Sequence, residues 1–438
     1  MQEGPSTDRL VMTPSSGVRL AGVEGMRALA ASSIVLVHVW GASTPGNVAL
    51  GAGWWIGDAL STLSAGVTLF FTLSGFLLYR PFAAAIARDA PRMRIRSYLW
   101  NRLLRIAPAY WAILAIAALV VGAAAVRDPS GTLGVGRLTD PIDLLQTGLL
   151  LQDYHPRTMV IGIGPAWSLA VEVAFYCLLP VLVLAAAHAA RFARDRGGRV
   201  LVLLGPPLLL LLLGLSGKAV AGHVLPGSPT SGYQVNWHSV VERSFWAQAD
   251  LFSFGMVVAV LHTEVSDGRL ALPRRWRRAA LGFGALVFLT CAWTMHQGDQ
   301  SYLVQNTGEA LGIAMIFATI VLPDLASTRP TRAVRFLETP VVVAVGLASY
   351  SLFLWHIPVI TWLRAHGLTL GGWGGLLLNL AVAALVAGAL SALTYRFVER
   401  PALRHKRSTR VASPPAAVAF SESPTRAPVI VAADQPHA

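Results

Sequence analysis

The chain has 438 residues, 54% of them hydrophobic and 13% charged, with a net charge of +13. Soluble globular chains carry roughly 25% charged residues, so the composition argues against a water-soluble fold. The positive charge does not indicate nucleic acid either, because the arginines sit in short loops between apolar runs and not on one basic face.

Apolar runs near twenty residues long recur from Met26 to Thr394. Each can cross a hydrocarbon core of ~30 Å as a helix, and none alternates polar with apolar as a barrel strand would. The expectation is an all-α, polytopic transmembrane helix bundle of about ten helices. They are placed near 26–43, 56–79, 106–126, 165–188, 200–216, 245–263, 279–296, 307–326, 340–363 and 372–394. The polar residues 1–20 read as a cytoplasmic N-terminal segment, so the first apolar run is a retained helix and not a cleaved signal. Residues 21–403 form the transmembrane domain. Residues 404–438, rich in Ser, Pro, Ala and Arg, read as a disordered cytoplasmic tail. Between the third and fourth helices, 127–164 is an external lid or a re-entrant piece, and 217–243 is a second external loop. No repeat relates the two halves, which leaves the inverted-repeat plan of many transporters unsupported. Cys177 and Cys291 lie in apolar runs and imply no disulfide framework.

Every even-numbered helix is followed by a basic loop, for example Arg191, Arg194, Arg196 and Arg199 after the fourth, or Arg274, Arg275, Arg277 and Arg278 after the sixth. The intervening loops carry few cations. By the positive-inside rule both termini are then cytoplasmic.

Polar residues inside these spans are the candidates for chemistry. Arg27 and His38, eleven residues apart, share one face of the first helix at a separation of ~16 Å. His38 is either a functional imidazole near mid-membrane or a packing histidine. On the fourth helix Ser168 and Glu172 share a face next to Trp167. Glu172 is expected at the depth of His38, where it either fixes the imidazole as the third member of a triad or forms a packing ion pair. Arg102 and Arg105, three apart, either grip phosphate or anchor the loop at the interface. Asp250 and His356, both near the outer face, either line an acceptor pocket or bridge helices. No metal-ligand spacing occurs, and no nucleotide-binding glycine loop. Ser74 lacks the glycine that a nucleophile elbow needs, because Thr72 stands there.

Six motifs in order resemble the acyltransferase-3 family of bacterial integral-membrane O-acyltransferases. They are Gly25 and Arg27 with His38; Phe70 to Phe76; Arg102 to Tyr110; Trp167 to Glu172 with Phe175-Tyr176; Ser349 to Pro358; and Glu399-Arg400-Pro401. Two positions depart from the pattern: Gly22-Val23-Glu24-Gly25 replaces a common Leu-Asp-Gly, and Thr68 stands where many relatives have aspartate.

The resemblance implies a multi-pass enzyme of the bacterial cytoplasmic membrane that moves a short acyl group, often acetyl, from acyl-coenzyme A. The acceptor is a hydroxyl of a sugar, glycan, glycolipid or glycosylated metabolite, and His38 is the base. In this reading Arg27, Arg102 and Arg105 hold the coenzyme phosphates, and Glu172 orients His38. Trp167, Ser168, Tyr176, Asp250 and His356 bind substrate. No cofactor or metal is resident. The rival from another class is a transporter of an acylated or glycosylated lipid that uses His38 and Glu172 as a proton relay.

Overall fold

Within a membrane, backbone amides find no water, so the long Ala-, Leu- and Val-rich runs close their hydrogen bonds inside helices. The computed structural model describes residues 20–409 apart from 44–56, 58, 61, 91–93, 129–131, 227–233, 296–301 and 324–329. The expected N-terminal segment up to residue 19 and the tail from 410 onward lie outside the described residues. Ten long helices follow: α1 (Val23–Ser43), α2 (Gly66–Ala87), α3 (Ile95–Ala115), α4 (Trp167–Ala189), α5 (Arg196–His223), α6 (Asp250–Ser266), α7 (Trp276–Met295), α8 (Tyr302–Val321), α9 (Pro340–Ala365) and α10 (Gly372–Thr394). Eight of these segments are long and apolar enough to cross a membrane on their own composition. The 20-residue α7 and α8 occupy the places expected for the seventh and eighth spans.

Several boundaries differ from expectation. Helix α2 spans Gly66–Ala87 and not 56–79, so Arg80 lies within the helix and not in the loop after it. Helix α3 starts at Ile95, eleven residues before the expected 106, and thereby carries Arg102 and Arg105 on a regular helix. It also stops early: a wide helical turn, Ile116–Val121, is ended by Gly122 at φ 72°. Helix α5 runs on to His223, so Lys218 belongs to a packed helix and not to the external loop expected at 217–243. The second half of that loop contains a short helix, Trp237–Arg243, capped by Asn236.

The segment after α3 forms short elements and not another long helix. Strand β1 (Ala124–Arg127) pairs antiparallel with β2 (Leu133–Gly136), and a short helix, Pro141–Gly148, follows, capped by Asp140. This segment folds back on α3, where Tyr110 Oη donates to the Thr147 carbonyl at 2.6 Å and Trp111 Nε1 to that of Gly148 at 2.8 Å.

The basic turns meet at one end of the bundle. Arg88, just past α2, forks onto Asp267, just past α6; Arg199 of α5 faces Asp89 at 3.8 Å; and Arg196 pairs with Glu264. Start and finish join the same end: Gly22 N donates to Glu338 ahead of α9, and Arg94 N to Thr409 beyond α10. Residues 404–409, expected as the start of a disordered tail, are therefore tied to α3. The Asn101 side chain exchanges two 2.8 Å bonds with the backbone of Arg407, whose guanidinium lies 4.9 Å from the Trp100 ring.

Close packing in lipid relies on small residues. A Cβ on Gly75 of α2 would collide with the Phe252 carbonyl, and one on Gly255 of α6 with that of Thr72, so the two glycines set the crossing of α2 and α6. Gly284 and Gly312 face each other across α7 and α8 in the same way.

Candidate active site

A cavity of about 350 Å³ runs into the bundle between α1, α2, α3, α4 and α9 from the end that carries the basic turns. Arg27, Arg102, Arg105 and Lys406 line it together, which is four cations converging on one space. Arg27 and Arg105 are partly balanced, by Glu24 at 3.7 Å and Glu399 at 3.0 Å. Among the described residues Arg102 and Lys406 carry no ion pair. Arg102 instead lies between the rings of Tyr98 and Tyr176, 5.9 and 6.0 Å away, with its Nε buried and without a hydrogen-bond partner. Loss of hydration at the cavity mouth, followed by Arg102, Arg105 and Arg27, pushes the Lys406 ammonium down to about 8. An anion between these groups would relieve their mutual repulsion.

Further in, the walls become aromatic and hydroxylic, with Phe70, Phe71, Phe353, Tyr350, Ser74 and Tyr176. Glu172 lines this section. Ser74 Oγ donates to its Oε1 at 2.5 Å and Tyr176 Oη to its Oε2 at 3.0 Å. Both carboxylate oxygens are thus engaged across α2 and α4, and no ion pair joins Glu172 to His38 among the described residues. The expected triad geometry does not form, because Glu172 faces the cavity whereas His38 lies beyond its aromatic wall. Ser74 takes part as a hydrogen-bond donor.

The partner of His38 is His356. Their ring centroids are 5.0 Å apart with planes at 54°, and His356 packs 5.7 Å from Phe353, which lines the cavity and also meets Phe70 at 5.8 Å. His38 Nδ1 lies 2.8 Å from the Ile34 carbonyl. A carbonyl only accepts, so in the neutral ring the proton sits on Nδ1 and Nε2 keeps its lone pair. His356 is fully buried and neither ring nitrogen has a hydrogen-bond partner.

The remaining expected substrate residues separate. Ser168 lines the cavity but donates its hydroxyl to the Pro165 carbonyl at 3.0 Å. Trp167 lies against Phe71, ring centroids 6.3 Å apart, and carries the Arg243 guanidinium 4.6 Å from its own ring centre. Asp250 is not in the cavity. It is wholly buried between α5, α6 and α8, where Lys218 Nζ meets it at 2.5 Å and Thr307 Oγ1 at 2.5 Å.

Sequence reasoning missed Lys406, Lys218 and Arg243. The first had a visible signal, the basic run Arg404 to Arg407 directly after Pro401. Lys218 had a weaker one, a single lysine after a leucine-rich run.

A family model described as an acyltransferase domain matches residues 20–396. O-acetyltransferase OatA of Staphylococcus aureus strain NCTC 8325 / PS 47 is 24% identical over 390 residues, covering 87% of this chain and 57% of that protein. A putative O-acetyltransferase of Staphylococcus aureus strain COL is 22% identical over 368 residues, covering 79% of this chain and 52% of that protein. The chain thus spans a little over half the length of these curated relatives. No solved structure matches.

Proposed function

The chain belongs to the acyltransferase-3 family, and from that premise we propose that it carries a short acyl group, acetyl as in the names of its relatives, from acyl-coenzyme A to a carbohydrate or glycolipid hydroxyl. As an integral-membrane acyltransferase it is an enzyme, which sets aside the transporter alternative. The bilayer is the bacterial cytoplasmic membrane, with both termini and the basic turns on the cytoplasmic side.

The observation that carries this reading is the layout along one axis: four cations at the basic end, a 350 Å³ passage lined by aromatic and hydroxyl groups, and a histidine with an available Nε2 beyond it. Arg27, Arg102, Arg105 and Lys406 hold the coenzyme phosphates, and the thioester arm enters the passage. The unbonded Arg102 Nε is a donor for one phosphate oxygen. At the far end His38 Nε2 takes the proton of the acceptor hydroxyl while its oxygen attacks the thioester carbon. The tetrahedral adduct collapses, the carbon–sulfur bond breaks, and the imidazolium returns the proton to the departing thiolate. Proton and acyl group are both accounted for, and the enzyme ends unchanged. His356, beside His38, receives the acceptor. Glu172 keeps Ser74 and Tyr176 in place along the passage and does not act on the imidazole. The ring of Phe353 packs against both His356 and the cavity-lining Phe70.

The test is coenzyme A release by purified protein in detergent, where no gradient exists. Turnover of acetyl-coenzyme A that depends on an added glycan or glycolipid supports the reading. Absence of turnover with every acyl-coenzyme A tried, alongside intact surface glycan and lipid acylation in a deletion strain, overturns it.

A further inference from the structure

A second cavity, of about 320 Å³, opens where α2 ends, α3 begins and the α4–α5 turn passes over them. Its walls are Phe82, Ile86, Ile95, Pro180, Val183 and Leu184, all apolar, and its rim carries Arg191 and Arg199 with Asp89. Leu184 in its wall is 47% exposed, as suits a surface that faces acyl chains. The cavity therefore joins the lipid-facing surface to the level of the basic turns.

The rim cations are not committed to the protein. Arg191 is exposed and makes no ion pair among the described residues. Arg199 faces Asp89 at 3.8 Å, with side chains 37% and 88% exposed, a geometry in which an ion pair contributes little. The start of α5 does not itself offer an anion site, since Asp195 already accepts from Gly198 N. What remains is two guanidiniums above an apolar slot between helices, the arrangement that suits a phosphate diester carrying a hydrocarbon chain.

We propose that this cavity binds one anionic glycerophospholipid, with its phosphate held by Arg191 and Arg199 and part of one acyl chain between α2 and α4. The site is separate from the cationic passage and does not depend on the donor proposed there. A free phosphate ion would satisfy the rim but leave the apolar slot empty, so the lipid is the better occupant. Binding would tie the α2 end to the α4–α5 turn, replacing the weak Asp89–Arg199 contact by a bridge that both elements share.

The experiment is native mass spectrometry of the full chain released from nanodiscs of phosphatidylglycerol or of phosphatidylcholine with the same chains. One phosphatidylglycerol should stay bound per protein and phosphatidylcholine should not. Arg191→Ala with Arg199→Ala should weaken retention about tenfold or more, the order expected for two basic groups at an anionic headgroup. Val183→Trp, which fills the slot and leaves both arginines, should also remove the lipid. A thermal midpoint in detergent equal to wild type confirms that each variant is folded. Equal retention of both lipids overturns the proposal, as does retention unchanged in either folded variant. Displacement of the lipid by millimolar inorganic phosphate alone, or by acyl-coenzyme A, overturns it too, since the apolar slot would then contribute nothing or the site would belong to the donor.

Discussion

His38 and His356 stand ring against ring, 5.0 Å between centroids, one with its Nδ1 tied to the Ile34 carbonyl and the other with both nitrogens unbonded inside a fully buried pocket. Buried polar atoms without partners are costly, so His356 left this way fits a place where a substrate hydroxyl completes the bonding. His38→Ala is expected to lower kcat by about 10² to 10⁴, the span of general-base assistance, with the thermal midpoint retained. His356→Phe keeps the ring packing and should raise KM for the acceptor while leaving that for the donor. A folded His38→Ala enzyme with more than about a tenth of wild-type turnover ends the base assignment.

Lys406 gives the donor site a pH signature. Its ammonium, pushed down to about 8, is charged below that pH and neutral above it, so acyl-coenzyme A should bind well at pH 7 and progressively worse as pH rises through 8. Lys406→Arg, whose charge does not titrate, should flatten that profile. Arg102→Ala should raise KM for acyl-coenzyme A about tenfold or more, because a charge-assisted bond is lost, and leave the acceptor KM unchanged. Donor KM values measured between pH 6.5 and 9 check all three, and a flat wild-type profile rules out Lys406.

Ser74 and Glu172 make a separable pair. If Ser74 only donates to Glu172, Ser74→Ala should keep turnover within about tenfold, since one hydrogen bond of modest net worth is lost. Trapping an acyl-Ser74 adduct by mass spectrometry would instead make it a covalent carrier.

The Lys218–Asp250 pair is wholly buried. Lys218→Met leaves an uncompensated carboxylate and should destabilise the protein by about 3 to 5 kcal/mol, whereas Lys218→Met with Asp250→Leu should recover most of that loss. Thermal unfolding of the three proteins in one detergent decides it. Equal losses in single and double variants would mean that packing, not charge, is at stake.

Asp153, in the segment between α3 and α4, accepts from Val160 N and Gln152 Nε2, yet burial raises its carboxyl to about 6. The folded form therefore binds the proton more tightly than the unfolded one. Local stability should be full near pH 4 and fall as pH rises through 6. Hydrogen exchange across 150–163 should be faster at pH 7.5 than at pH 5 after correction for the intrinsic rate, and Asp153→Asn should abolish the difference.

The sequence by itself determined the helices, their number and the clustering of basic turns, because span length, hydropathy and arginine placement are local properties that the bilayer reads one segment at a time. Helical spacing also puts Arg102 and Arg105 on one face of α3, but their meeting with Arg27 of α1 in one cavity is tertiary. Tertiary structure alone decided which faces meet. Glu172 and His38 share a depth estimate, but the rotation of α4 turns the carboxylate to Ser74 of α2, where Tyr176, one turn further along α4, also reaches it, and the rotation of α9 brings His356 to His38. By sequence Asp250 either lines an acceptor pocket or bridges helices, and Lys218, thirty-two residues earlier, meets it across two helices. Lys406 entered the cavity because Asn101, some three hundred residues away in sequence, holds the backbone beside it. Periodicity gives the depth and face of each side chain, while helix rotation and crossing follow from packing of small residues such as Gly75 and Gly255, which only the assembled bundle settles.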